Sequence, residues 1–139
     1  MPRVTSNVFY DDLGSALEFL AKTFGFETRM SMPGPEGNII HAEMRVLDSV
    51  IMLSPTTDSD AWASPQSQGG SVTQSLYIYV DDVDAHCARA QSTGASIVAE
   101  LEDMFWGDRT YVAADPEGHR WIFAQHRRDV VPGDMQPPS

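Results

Sequence analysis

The sequence predicts an α+β fold made of two tandem strand–helix–three-strand (βαβββ) modules. Three observations carry this expectation. An acidic pair precedes a helical pattern twice, Asp11-Asp12 before Leu13 and Asp81-Asp82 before Val83, 70 positions apart. A glycine closes each helical pattern, Gly25 and Gly94. Segments that alternate apolar and polar residues follow each glycine, as half-buried strands do. One such module has a single apolar sheet face under its helix and closes a core poorly alone; two copies side by side do better.

The elements follow in order. Residues 5–10 read as a strand, with Val4, Val8 and Tyr10 on one face. Asp11-Asp12 offers a helix N-cap. Leu13, Leu17, Leu20 and Phe24 then form an apolar stripe that ends at Gly25, a C-cap. Residues 26–32 form the next strand, and Pro33 to Gly37 a turn. In residues 39–46, Ile40, Ala42, Met44 and Val46 share one face, and His41, Glu43 and Arg45 the other. Residues 50–54 complete the first module. Residues 55–70 are rich in Ser, Asp, Gln, Gly and Pro and read as a long loop carrying Trp62.

The second module repeats the plan. Residues 74–80 form a strand, Val83, Cys87 and Ala90 a helical stripe, and residues 95–100, 109–114 and 119–125 three further strands. Asp115-Pro116-Glu117-Gly118 is a turn with proline at its second position. The expected organisation is one domain over residues 1–139: a first module at about 3–54, the loop 55–70, a second module at about 73–126, and a flexible tail over 127–139.

Composition narrows the function. Nine basic residues against 20 acidic ones give a net charge of −11, a field that repels phosphate backbones and attracts cations. Nucleic-acid binding is therefore not expected. No apolar run approaches a membrane span, and no signal-peptide pattern opens the chain, so a cytoplasmic location is expected. Cys87, the single cysteine, permits no internal disulfide and reads as a buried, inert thiol. His86 reads as a solvated helix residue, and His119 as a hydrogen-bonding partner within its turn. Arg109 reads as structural. No nucleophile elbow, phosphate loop or Cys/His zinc spacing is present.

Several motifs together resemble the glyoxalase, bleomycin-resistance and extradiol-dioxygenase (vicinal oxygen chelate) superfamily. They are Asp12-Leu13 with Ala16 to Leu20 and Gly25-Phe26; His41 to Arg45; Val80 to Ala85; and Trp106-Gly107-Asp108-Arg109 followed by Asp115 to Trp121. The resemblance spans residues 5–126. It implies that the two modules form a curved mixed sheet around a cleft, with the helices on the outer face. It also implies homodimerisation, and it leaves open whether modules pair within a chain or are exchanged between subunits.

Metal-dependent members of the family place one ligand in the first and fourth strand of each module. Carried over, these positions are Thr5, Met52, Ser75 and Ile122. Divalent metals in such sites are held by His nitrogens and carboxylate oxygens. Isoleucine donates nothing, and methionine suits only soft ions. The resemblance thus implies a metal-free, cofactor-free member of the glyoxalase-like branch. His41 and Glu43, two apart on one strand face, are the remaining weak metal candidates.

Strand alternation assigns the cleft side chains. With Thr5 and Ser75 facing inward, so do Asn7, Phe9, Tyr77 and Tyr79; Met52, Arg120 and Ile122 follow on the other strands. Trp62 and Trp106 stand in loops from which they can clamp a flat ligand. The ligand-binding set is therefore Asn7, Phe9, Met52, Trp62, Ser75, Tyr77, Tyr79, Trp106, Arg120 and Ile122. Apolar walls with a few polar points describe a small-molecule pocket. The expected function is sequestration of a planar or cationic drug-like or natural-product ligand, with no catalytic residue. Two alternatives stand beside it: a metal-dependent lyase, isomerase or dioxygenase, and a dimeric scaffold whose cleft is filled.

Overall fold

The computed structural model describes residues 3–58 and 61–138. The chain resolves into two compact units, one of residues 1–72 with 116–119, the other of residues 73–115 with 120–139.

The first unit contains β1 (Asn7–Tyr10), α1 (Leu13–Phe19), β2 (Glu27–Pro33), β3 (Ile39–Val46) and β4 (Ser49–Pro55). The strands lie in the order β1-β4-β3-β2, with β1 parallel to β4 and the other pairs antiparallel. Asp12 caps α1: its carboxylate accepts the Ser15 amide at 3.0 Å. A π-helical turn, Leu20–Phe24, extends α1 and ends at Gly25, whose φ of 79° is left-handed. The predicted stripe Leu13, Leu17, Leu20 and Phe24 is wholly buried, with Ala42, Met44, Ile51 and Leu53 of the sheet.

The second unit repeats this plan with β5 (Leu76–Tyr79), α2 (Val83–Ser92), β6 (Ser96–Asp103), β7 (Asp108–Ala114) and β8 (Arg120–His126), in the order β5-β8-β7-β6. Asp82 caps α2 through the Ala85 amide at 3.1 Å. Val83, Cys87 and Ala90 bury their side chains, as do Tyr111, Ala113, Trp121 and Phe123 of the sheet. Burial holds the Cys87 thiol above its usual value, so it is an inert core residue.

The strand registers show the duplication directly. Asn7 pairs with Met52, Val8 with Leu53 and Phe9 with Ser54; in the second unit Tyr77 pairs with Ile122, Ile78 with Phe123 and Tyr79 with Ala124. Each pair recurs with both partners moved by 70 positions. Both units are therefore α+β modules of the predicted βαβββ kind.

Some residues depart from expectation. Val4 is 88% exposed, because β1 begins only at Asn7 and Val4 has no neighbouring strand to lie on. Thr5 and Ser75 likewise precede their strands. His86 is not a solvated helix residue: Nδ1 lies 2.6 Å from the Tyr111 hydroxyl, and its ring packs 4.2 Å from Phe123. His119 reaches outside its turn, placing Nε2 2.6 Å from the Phe9 carbonyl oxygen. The loop after β4 holds a 3-10 turn at Pro65–Gln68. Past β8, the amides of Arg127 and Arg128 both donate to the Gly107 carbonyl, at 2.9 and 3.1 Å.

Candidate functional site

In the second unit, α2 covers one sheet face, and the opposite face carries the candidate site. Tyr111 and Ala113 of β7 and Trp121 and Phe123 of β8 point to the buried side. Alternation therefore turns Asp108, Ile122 and His126 to the other. Tyr77 and Tyr79 of β5 are 40% and 53% exposed.

Asp108 is the centre of this face, with only 2% of its surface exposed. Its Oδ2 accepts the Tyr77 hydroxyl at 2.6 Å and the Tyr79 hydroxyl at 2.9 Å. Its Oδ1 faces His126 Nδ1 at 3.0 Å. The indole N–H of Trp106 donates to the Tyr77 oxygen at 3.1 Å. A buried carboxylate needs such partners, since leaving it unpaired is costly. Burial alone would raise the Asp108 carboxyl; the hydrogen bonds from Tyr77, His126 and Tyr79 outweigh it and hold the group below the usual carboxylate value. The same contacts act oppositely on the phenols. Tyr77 is pushed up to about 12, by burial and then by Asp108. Tyr79 is raised by its bond to Asp108 first and by burial second. Both therefore stay protonated at neutral pH.

His126 is held between two carboxylates. Its Nε2 lies 2.6 Å from Asp129 Oδ1, across the ring from Asp108. Only the imidazolium donates from both nitrogens, and both carboxylates raise the ring above its ordinary value, Asp108 first. Beside this cluster is a cavity of about 450 Å³, bordered by Met104, Gly107, Asp108, Arg109 and Arg127 among others. None of the ten residues expected to contact ligand lines it. Its charges are largely paired internally: Arg109 binds Asp84 at 3.1 Å and Asp103 at 3.2 Å, and Arg127 binds Asp84 at 2.9 Å.

The first unit has its own aromatic patch. Phe9 of β1 stacks on Trp62 with ring centroids 5.1 Å apart and planes inclined by 25°. Asn7 accepts the Ser54 hydroxyl at 2.9 Å, next to Met52 across the strand.

Of the expected ligand-binding residues, the structure thus brings Asn7, Phe9, Met52 and Trp62 to one patch. It gathers Tyr77, Tyr79 and Trp106 on another, with Ile122 paired to Tyr77 on the same sheet. Ser75 and Arg120 are exposed at strand starts. Asp108 and His126 were absent from the expected set. The signal for Asp108 was available: it has the parity of Thr110 and Val112, opposite the apolar Tyr111 and Ala113.

The donor set at the family's metal positions does not suit a divalent ion. Asn7 and Met52 pair in one unit and Tyr77 and Ile122 in the other, with Thr5 and Ser75 just before the strands. His41 and Glu43 lie on β3, where Glu43 is 3.6 Å from Arg29. Among the described residues no group of three or more His, Cys, Asp or Glu side chains is arranged to hold a metal ion. Also among them, no helix is long and apolar enough to cross a membrane.

Comparison with known proteins agrees with this architecture. The uncharacterised protein Rv0887c of Mycobacterium tuberculosis is 37% identical over 138 residues, covering 97% of this chain and 81% of its own length. The solved structure of TioX from Micromonospora sp. ML1 superposes with a TM-score of 0.74 at 31% identity, covering 91% of this chain and 99% of TioX. TnmS3, an antibiotic binding protein from Streptomyces sp. CB03234, shares the fold with a TM-score of 0.68 at 23% identity, covering 91% of this chain and 97% of TnmS3. The model of the Glyoxalase/Bleomycin resistance protein/Dioxygenase superfamily matches residues 3–123. With its duplicated βαβββ units, the chain belongs to that superfamily.

Proposed function

We propose that this protein binds a small planar, cationic molecule, without a metal, and sequesters it by mass action. The observation that carries the proposal is the group Tyr77, Tyr79 and Trp106, an accessible aromatic surface anchored on the buried carboxylate of Asp108. Tyrosine and tryptophan faces stack on flat rings and attract cations through their π systems. A net charge of −11 favours the approach of a cation. The metal-position residues Thr5, Met52, Ser75 and Ile122 support a binding role over metal-assisted chemistry. The antibiotic-binding role of TnmS3 makes a drug-like ligand a reasonable class to test.

In this reading Ser75, Tyr77, Tyr79, Trp106, Arg120 and Ile122 contact ligand in the second unit. Asn7, Phe9, Met52 and Trp62 do so in the first, and the active species is the homodimer the family resemblance implies. The test is a thermal-shift series with flat cations, proflavine among them. Ligand at a hundred times its dissociation constant stabilises the fold by about 2.7 kcal/mol. No shift with any flat cation would remove the proposal's support.

A further inference from the structure

The hydrogen-bond direction around Asp108 constrains the ligand further. A phenol has one proton and an oxygen that accepts. Tyr77 and Tyr79 both spend that proton on Asp108 Oδ2, at 2.6 and 2.9 Å. Neither has a proton left to offer outward. Turning either hydroxyl round would deprive a carboxylate that is only 2% exposed of a donor. The third partner, His126, sits on the other oxygen and does not substitute.

What the two phenols still present is oxygen lone pairs. On Tyr77 that acceptor already receives the Trp106 indole N–H at 3.1 Å. On Tyr79 it receives nothing among the described residues, and this side chain is 53% exposed. The carboxylate behind it makes the Tyr79 oxygen a stronger acceptor than an isolated phenol, because hydrogen bonds in a chain polarise one another.

We infer that the Tyr77–Tyr79–Trp106 surface is an acceptor site, selecting flat ligands that bear an amine or ammonium N–H placed on the Tyr79 oxygen and disfavouring ligands that offer only carbonyl or carboxylate oxygens there. The inference rests on the binding role proposed above and names its chemical class.

The test uses two flat, fluorescent cations on one acridine scaffold. Proflavine carries exocyclic amines that donate; acridine orange carries the same nitrogens fully methylated, and both are used as 10-methylacridinium salts so that no ring N–H donates. Both are titrated against the full chain and against Tyr79→Phe, which keeps the ring and removes the acceptor together with one donor to Asp108. Wild type is expected to bind proflavine about tenfold more tightly than acridine orange, the worth of one hydrogen bond in a polarised chain. Tyr79→Phe weakens proflavine much more than acridine orange and brings the two dyes to a common level. Equal binding of both dyes by wild type, or equal weakening of both by Tyr79→Phe, would overturn the acceptor site while leaving ligand binding intact. Binding of neither dye by the folded protein would remove both.

Discussion

Asp108 Oδ1 lies 3.0 Å from Nδ1 of His126, a nearly buried carboxylate against a half-exposed imidazole. The pair gives stability a two-sided pH dependence. His126 is raised above its ordinary 6.5, so its contribution is complete below that value and is lost as pH rises through the higher folded-state value. Asp108 is depressed, so its contribution is present above the ordinary carboxylate value and is lost as pH falls through the lower one. Asp11, Asp12 and Asp84 are depressed as well and steepen the acid side. Melting temperature plotted against pH should fall on both sides of a mildly acidic to neutral optimum. His126→Gln should flatten the alkaline decline and soften the acid one less, since Tyr77 and Tyr79 still hold Asp108. An unchanged alkaline limb in that variant would contradict the assignment.

Glu117 fastens the start of α1. Its two carboxylate oxygens accept the Asp11 and Asp12 amides at 2.6 and 2.9 Å, across more than a hundred residues of chain. Glu117→Ala leaves both donors without this partner and should cost about 2 kcal/mol in urea denaturation. Amide exchange at Asp11 and Asp12 should accelerate more than exchange in α2.

The segment after β8 is attached through Gly107. Its φ is 105°, and a Cβ there would collide with the Arg128 carbonyl oxygen. Gly107→Ala should therefore destabilise the fold by roughly 2 kcal/mol and release the chain at Arg127 and Arg128. Limited trypsin digestion gives the readout, with cleavage after these arginines faster in the variant than in wild type.

The Phe9–Trp62 stack should contribute about 1 kcal/mol of coupling, as aromatic pairs of this geometry do. A double-mutant cycle with Phe9→Leu and Trp62→Ala measures it. A coupling near zero would mean that Trp62 does not rest on β1 in solution.

Local pattern carried most of the fold. The alternation Ile40, Ala42, Met44 and Val46 located β3 at the residues it occupies, and Asp12 and Asp82 located both helix starts. The π-helical turn at Leu20–Phe24 was invisible, because its apolar stripe is indistinguishable from that of an ordinary helix. The site was legible only in part. Alternation turned Tyr77 and Tyr79 to one face, but the carboxylate joining them lies 29 residues beyond Tyr79, and no local period reports such a contact. His86 and His119 misled for the same reason: each finds a partner distant in the chain, Tyr111 and Phe9.

Each paired position of β1 and β4 has a counterpart in β5 and β8, within the same polypeptide. Asn7 and Phe9 occupy the places that Tyr77 and Tyr79 hold in the second half. One copy can thus carry a different chemistry from its twin on the same strand register. Swapping residues between halves becomes a natural way to ask which features of the Asp108 cluster are sufficient, and which depend on their neighbourhood.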